Sequence, residues 1–192
     1  MAQQTLITLL VLSDMQRECP ITLRHDKKRN IRDSMASAKF IDKEIVFQEI
    51  PGEISLCYYI TNCPHHCKGC HSPKLSEDIG DNLWVNLRYN DLYIYSEKGI
   101  SCVLFMGGDN ADDIEDCLTE VKNFGLKTAL YSGCTMETFN KELLRKLDYV
   151  KIGPYIEELG PINKRTTNQR LYSVSSNGEL TDITSKFWKE LE

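Results

Sequence analysis

Residues 54–71 read Ile-Ser-Leu-Cys-Tyr-Tyr-Ile-Thr-Asn-Cys-Pro-His-His-Cys-Lys-Gly-Cys-His. Ile54 to Thr61, rich in Ile, Leu, Cys and Tyr, has the pattern of a buried strand. It runs directly into Cys63, Cys67 and Cys70, spaced C-x3-C-x2-C. Three thiolates can hold three irons of a [4Fe–4S] cube, whose usual complement is four cysteines. The fourth iron then keeps an open site, as an open catalytic metal does. Spacing alone leaves a second reading, a structural zinc ion with His65, His66 or His71 as fourth ligand. Ligands crowded into one loop, with no second pair downstream, suit zinc less well.

Outward from this stretch the pattern is regular. Glu44 to Glu49 reads as a strand ended by the Pro51-Gly52 turn. Leu87 to Lys98 reads as a helix stopped by Gly99, and Cys102 to Met106 as a short apolar strand ended by Gly107-Gly108. Asn110 is placed to cap a helix, with Asp112 and Asp113 in its first turn and Ile114, Leu118, Val121 and Phe124 on one face. Thr128 to Tyr131 reads as a strand closed by Gly133. Thr135 is placed to cap a third helix carrying Met136, Phe139, Leu143, Leu144 and Leu147. Tyr149 to Ile152 and Leu171 to Val174 read as further strands, the latter before a polar turn at Ser175 to Gly178. Alternation of this kind predicts an α/β fold with a mostly parallel sheet and right-handed crossovers. Ligands of such sheets sit at the carboxyl ends of the strands, so the cysteine loop and Gly107-Gly108 belong on one edge.

The 192 residues suffice for one domain with a real core. Residues 1–38 are set apart as an N-terminal extension, with Met35 as an alternative start, and residues 39–192 form the domain. The extension carries a charge of +2 and the remainder −7, giving the net −5 of the whole chain. An acidic balance argues against nucleic-acid and anionic-membrane partners. The apolar run Thr5 to Leu12 is too short to span a bilayer and lacks the flanks of a secretory signal, so a cytoplasmic location is expected. In a reducing compartment, clustered cysteines point to a metal rather than to disulfides. The other five of the eight cysteines lie singly in apolar stretches and read as small buried hydrophobes.

C-x3-C-x2-C directly after a strand is the signature of radical S-adenosylmethionine (SAM) enzymes, and this chain resembles that superfamily. The resemblance implies that SAM chelates the open iron through its amino and carboxylate groups. One electron then cleaves it to methionine and a 5′-deoxyadenosyl radical that abstracts hydrogen. Phe105-Met106-Gly107-Gly108-Asp109 stands one strand later, where the superfamily carries a Gly-Gly-Glu-like turn whose bare backbone approaches the methionyl amino group. Asp109 replaces the Glu, which keeps the backbone role and shortens the carboxylate.

The resemblance narrows further. Ile45-Val46-Phe47-Gln48-Glu49, Cys67-Lys68-Gly69-Cys70-His71-Ser72-Pro73, Met106-Gly107-Gly108-Asp109 and Tyr131-Ser132-Gly133 belong to it, as do Gly153-Pro154-Tyr155 and Thr167-Asn168-Gln169-Arg170. Together they are similar to the activating proteins of anaerobic ribonucleoside-triphosphate reductases. This implies a radical SAM-type incomplete (β/α) barrel, a [4Fe–4S] cluster on Cys63, Cys67 and Cys70, and SAM contacts from Gly69, Cys70, His71, Gly107, Gly108 and Asp109. It also implies a glycyl radical raised on the large reductase subunit, with a low-potential donor such as flavodoxin or ferredoxin. The chain is shorter than the about 250 residues of a complete eight-strand barrel, which agrees with an incomplete one open to a protein partner. The alternatives are another glycyl radical enzyme or a small molecule as substrate, or a non-catalytic zinc-binding interaction module. Tyr155, Glu157, Arg165, Asn168, Gln169 and Arg170 are candidates for the partner surface, the SAM pocket or a solvated loop. Lys151 lies near the ligand edge on a face that alternation does not choose.

Overall fold

The computed structural model describes residues 37–188. The N-terminal extension, apart from Ser37 and Ala38, lies outside the described residues, as do Thr5 to Leu12, Cys19 and Met35. Among the described residues one sheet runs in the order β3-β1-β2-β4-β5-β6-β7-β8. Its strands are β1 (Lys39–Val46), β2 (Ser55–Ile60), β3 (Asp81–Asn82), β4 (Cys102–Met106), β5 (Lys127–Tyr131), β6 (Tyr149–Ile152), β7 (Arg170–Val174) and β8 (Leu180–Asp182). The sheet is open, with β3 and β8 at its two edges.

The expectation of a mostly parallel sheet is corrected. β2, β4, β5 and β6 pair in parallel, but β1–β2, β1–β3, β6–β7 and β7–β8 pair antiparallel, four pairings against three. The physical reason is the connections. A parallel return needs a crossover of a dozen or more residues over a face of the sheet. Between β1 and β2 the chain turns back through Pro51 and Gly52, the latter at φ +91°. Between β7 and β8 it turns tightly at Ser175–Gly178, where Gly178 N–H donates to Ser175 O (2.8 Å). The alternating central block, where helical segments do cross over, is the part that the sequence pattern describes.

The helical segments differ from expectation in detail. α1 (Leu83–Asn86) and α2 (Leu92–Ser96) are joined by one π turn, Leu87–Asp91, so this helical stretch begins earlier than Leu87. Asn82 starts it, its side chain accepting from Val85 N–H (2.9 Å). The π turn carries Asp91, which is buried and accepts from Tyr58 OH (2.6 Å) and Lys43 Nζ (2.5 Å). A buried carboxylate needs such partners, and the widened turn is what places it. α3 (Ile114–Asn123) begins after Asp113, not after Asn110. Asp113 Oδ1 accepts the Ala38 amide (2.7 Å), and Asn110 Nδ2 donates to Asn62 O (3.2 Å), tying the turn to the cysteine loop instead of capping. The third helix is replaced by turns and one 3-10 segment, Lys141–Lys146. Asn140 interrupts the run in an extended conformation and its side chain accepts from Glu142 N–H (3.1 Å).

Burial divides the sheet into two faces. Leu56, Tyr58, Ile60, Val103, Phe105, Leu130, Val150 and Ile152 pack with the helical segments in the larger core. Tyr58 stacks on Phe105 at 6.0 Å and meets Phe40 edge-on at 5.1 Å. Full burial of each such side chain contributes about 1.5–3 kcal/mol. The opposite face carries a smaller cluster of Cys57, Cys102, Leu104, Ala129 and Leu171, flanked by Met106, Tyr131 and Phe187. Among the described residues no helix is long and apolar enough to cross a membrane.

Candidate cluster-binding site

The parallel register aligns Tyr59 with Met106, Met106 with Tyr131, and Tyr131 with Lys151. The loops after β2, β4, β5 and β6 therefore leave one carboxyl edge side by side, as the sequence predicts for the cysteine loop and the Gly107-Gly108 turn. The cysteine loop is pinned at its root. Thr61 N–H donates to Lys39 O (2.8 Å), Asn62 N–H to Glu77 O (2.9 Å) and Cys63 N–H to Leu75 O (2.8 Å). Asn62 and His66 take left-handed backbone at φ 60° and 44°, which lets so short a loop curl and bring its thiols round. Cys70 N–H donates to Cys67 O (3.2 Å), and Ser72 N–H points at Cys70 Sγ (3.4 Å).

Cys63, Cys67 and Cys70 are free thiols, the first two half-buried and the third exposed. All three line one cavity of about 290 Å³ at this edge. His71, Gly107 and Asp109 line it too, while Gly69 and Gly108 are not among its lining residues. Burial pushes the Cys63 thiol up, and the charges of Asp109, Cys67 and Cys70 push it the same way. A proton is given up at such a site when a metal takes its place.

The donor set fits a cluster better than a single ion. Among the described residues, His65, Asp109 and Cys134 are the group whose ligand atoms lie within 4.8 Å of one another. The loop thiols do not form such a group, with or without a histidine. Thiolates on three different irons of a cube stand wider apart than ligands on one ion. His66 and His71 do not close a tetrahedron with the cysteines; the His71 ring instead packs edge-on against Tyr155 (5.6 Å).

The paired glycines have a local cause. Gly107 and Gly108 both sit at positive φ, 93° and 87°. A Cβ on Gly108 would lie 2.8 Å from Ile60 Cγ2, and one on Gly107 3.3 Å from Ile60 O. The turn crosses so close over the end of β2 that only bare backbone fits there. The carboxylate of Asp109 is nearly buried and accepts from Ser132 Oγ (2.5 Å) and Cys134 Sγ (3.1 Å).

Lys151 is the residue that the sequence left undecided. Val150 and Ile152 belong to the helix-side core, and Lys151 faces the other way into the cavity. Its Nζ stands 4.6 Å over the Tyr131 ring, and no hydrogen bond or carboxylate partner holds it among the described residues. Burial pushes its pKa down to about 8, opposed by the charges of Cys67 and Cys70.

The tail closes the cavity from outside. Tyr155, Pro161, Ile162 and Gln169 line it. Gln169 is buried and donates through Nε2 to Gly153 O (3.2 Å); Asn168 Nδ2 donates to Pro154 O (2.8 Å). Glu157 pairs with Lys68 (3.2 Å) beside Gly69, whose φ is +71°. Arg165 lies over the Trp188 ring (5.4 Å), and Trp188 Nε1 donates to Ile162 O (3.2 Å), anchoring the far end. Arg170 donates to Thr167 O and Gln169 O and so braces the loop from within. No spacing rule would have gathered Ser132, Cys134, Lys151 and Gln169, which come from the turn after β5, from β6 and from the residue before β7.

A family model described as a 4Fe-4S single cluster domain matches residues 51–175. That span runs from the Pro51-Gly52 turn to the end of β7 and takes in every cavity residue named above. No curated protein and no solved structure matches the chain.

Proposed function

The chain belongs to the family of 4Fe-4S single cluster domains, and from that premise we propose that it is a radical SAM activase. It cleaves S-adenosylmethionine reductively and raises a glycyl radical on the large subunit of an anaerobic ribonucleoside-triphosphate reductase. The observation that carries the reading is the convergence on one cavity of Cys63, Cys67, Cys70, Gly107 of the paired-glycine turn and Lys151, which has no carboxylate partner among the described residues. Three protein thiols leave one iron for a ligand that is not a side chain. When bound, such a cluster would supply low-potential one-electron chemistry for the reductive cleavage of SAM.

The chain's own residues bind, orient and shield. Cys63, Cys67 and Cys70 hold three irons. Lys151 gives the ligand carboxylate a cation in a poorly hydrated wall, where the pair is worth more than at the surface. Backbone groups of Gly107 and of the Cys70-His71 corner serve the amino end, and Met106, Tyr131 and Ile162 exclude water. Asp109, already engaged by Ser132 and Cys134, acts as a wall of the cavity rather than as a free base. The antiparallel flanks and the open sheet are read as an incomplete barrel, whose missing closure leaves a way in for a glycine loop. Flavodoxin or ferredoxin is the class of donor that suits the electron.

Anaerobic reconstitution tests this directly. About four irons per chain are expected. With SAM, a reductant and the large reductase, an electron-spin signal of a glycyl radical should grow on the partner. One tightly held zinc and no iron overturns the reading; SAM cleavage without the signal moves the substrate elsewhere.

A further inference from the structure

His65, Asp109 and Cys134 form a second constellation that the cluster does not use. They come from three separate turns: the cysteine loop, the turn after β4 and the turn after β5. His65 Nε2 lies 3.8 Å from Asp109 Oδ2, Cys134 Sγ lies 3.1 Å from the same oxygen, and all three ligand atoms fall within 4.8 Å of one another. His65 Nε2 is fully buried and has no hydrogen-bond partner among the described residues. A buried ring nitrogen left unsatisfied is costly, so its position calls for an occupant. The ring fits there because Gly133, directly beneath it, has no side chain to displace it. Ser132 Oγ donates to Asp109 Oδ2 (2.5 Å) and accepts the Cys134 amide (2.9 Å), fixing two of the three donors from behind.

We propose that His65, Asp109 and Cys134 hold a mononuclear zinc-class divalent cation beside the cluster. One imidazole nitrogen, one carboxylate oxygen and one thiolate are a borderline donor set that suits zinc. Neutral His, carboxylate and thiolate sum to two negative charges, which a divalent ion cancels in a site of little water. Binding exchanges the Cys134 thiol proton, released to solvent, for a sulfur–metal bond, with no change in oxidation state. Two of the three ligands, His65 and Asp109, line the cavity, so the fourth coordination position opens on it. The ion ties three loops of the ligand edge together. This places a zinc ion elsewhere than on the cysteines that the spacing first suggested for it.

The test uses the full chain with Cys63, Cys67 and Cys70 replaced by Ala, which leaves the triad intact. Titrated anaerobically with Co²⁺, it should bind one ion, read as thiolate-to-cobalt charge-transfer absorption that Zn²⁺ bleaches. A further Cys134→Ser change should abolish the band. His65→Ala should weaken Co²⁺ binding by at least about 100-fold, more than loss of an outer-shell partner costs. No band in a folded chain, or a band that survives Cys134→Ser, overturns the site. If that chain does not fold, the wild-type protein decides after reconstitution with iron and equilibration with Zn²⁺. It should retain one zinc beside its irons on desalting, and Cys134→Ser should retain the irons alone. No zinc in the wild type, or zinc kept by Cys134→Ser, overturns the site as firmly. Neither arm requires SAM cleavage, so this proposal and the activase reading stand or fall separately.

Discussion

Gly133 carries the imidazole of His65 directly over its α-carbon: a Cβ there would stand 2.5 Å from Cδ2 and 2.6 Å from Cγ of the ring. The turn after β5 thus sets how closely the cysteine loop approaches the sheet edge. Because the clash involves the root of the ring, rotating the imidazole does not relieve it.

Gly133→Ala should therefore push the cysteine loop outward while leaving the sheet folded. Iron incorporation after reconstitution should fall severalfold, and far-ultraviolet circular dichroism should match the wild type. Full iron content in this variant would mean that the loop gives way at no cost.

Replacing Cys63, Cys67 or Cys70 by Ala should each abolish cluster formation, measured as iron per chain and as SAM cleavage. Cys117→Ala should leave both intact. Cys117 is fully buried in the helix-side core, so its loss costs on the order of 1 kcal/mol of stability and no chemistry. Equal damage from all four would contradict the ligand assignment.

Lys151→Met keeps the apolar stem over Tyr131 and removes the charge. In the metal-free protein the lysine is depressed from 10.5 to about 8 by burial. Its contribution to stability is present above the unfolded value, 10.5, and is lost as pH falls through 8. The variant should thus be more stable than the wild type at pH 7 by roughly 2–3 kcal/mol. The gap should close between pH 8 and 10.5, which chemical denaturation across that window would show. In the loaded protein the same variant should bind SAM at least about tenfold more weakly, the loss of one charged hydrogen bond. Unchanged binding would remove Lys151 from the ligand-holding set.

At the opposite end of the parallel strands, Glu53 receives Lys127 Nζ (2.5 Å), Ser101 Oγ (2.6 Å) and Tyr149 OH (2.7 Å). Burial raises its pKa, but these bonds outweigh burial and hold it below the ordinary carboxylate value of 4.5. The stability it contributes is present above pH 4.5 and is lost as pH falls through the lower folded value. Glu53→Ala should cost about 2–3 kcal/mol and flatten the acid limb of the stability profile, with no effect on iron content.

The central block was legible because each of its elements is local. Strands β2, β4, β5 and β6 are short apolar runs bounded by glycine or polar turns, and the loop thiols sit in one contiguous stretch. What escaped depends on contacts distant in sequence. Asn110 looks like a helix cap until Asn62 O claims it, and Asp113 turns to the Ala38 amide. The third helix has the right apolar spacing, yet Asn140 breaks it by binding a neighbouring amide. Strand direction is not encoded in periodicity at all. β7 and β8 return antiparallel because no helix crosses over between them and their neighbours. Lys151 needed its flanking residues, Val150 and Ile152, to be assigned to the helix side before its own direction followed.

The parallel pairing of β2, β4, β5 and β6 also fixes an order of assembly. As the chain is synthesised, the cysteine loop emerges well before β6, and each strand must close a long loop to find its neighbour. The thiols are thus the first part of the site to exist, and they wait for β6 and the tail before the cavity around them is complete. Between those moments they are exposed to whatever metal or oxidant the cell offers. A chain cut off after β5 would keep the three loop cysteines while lacking both the cation of β6 and the tail that covers them.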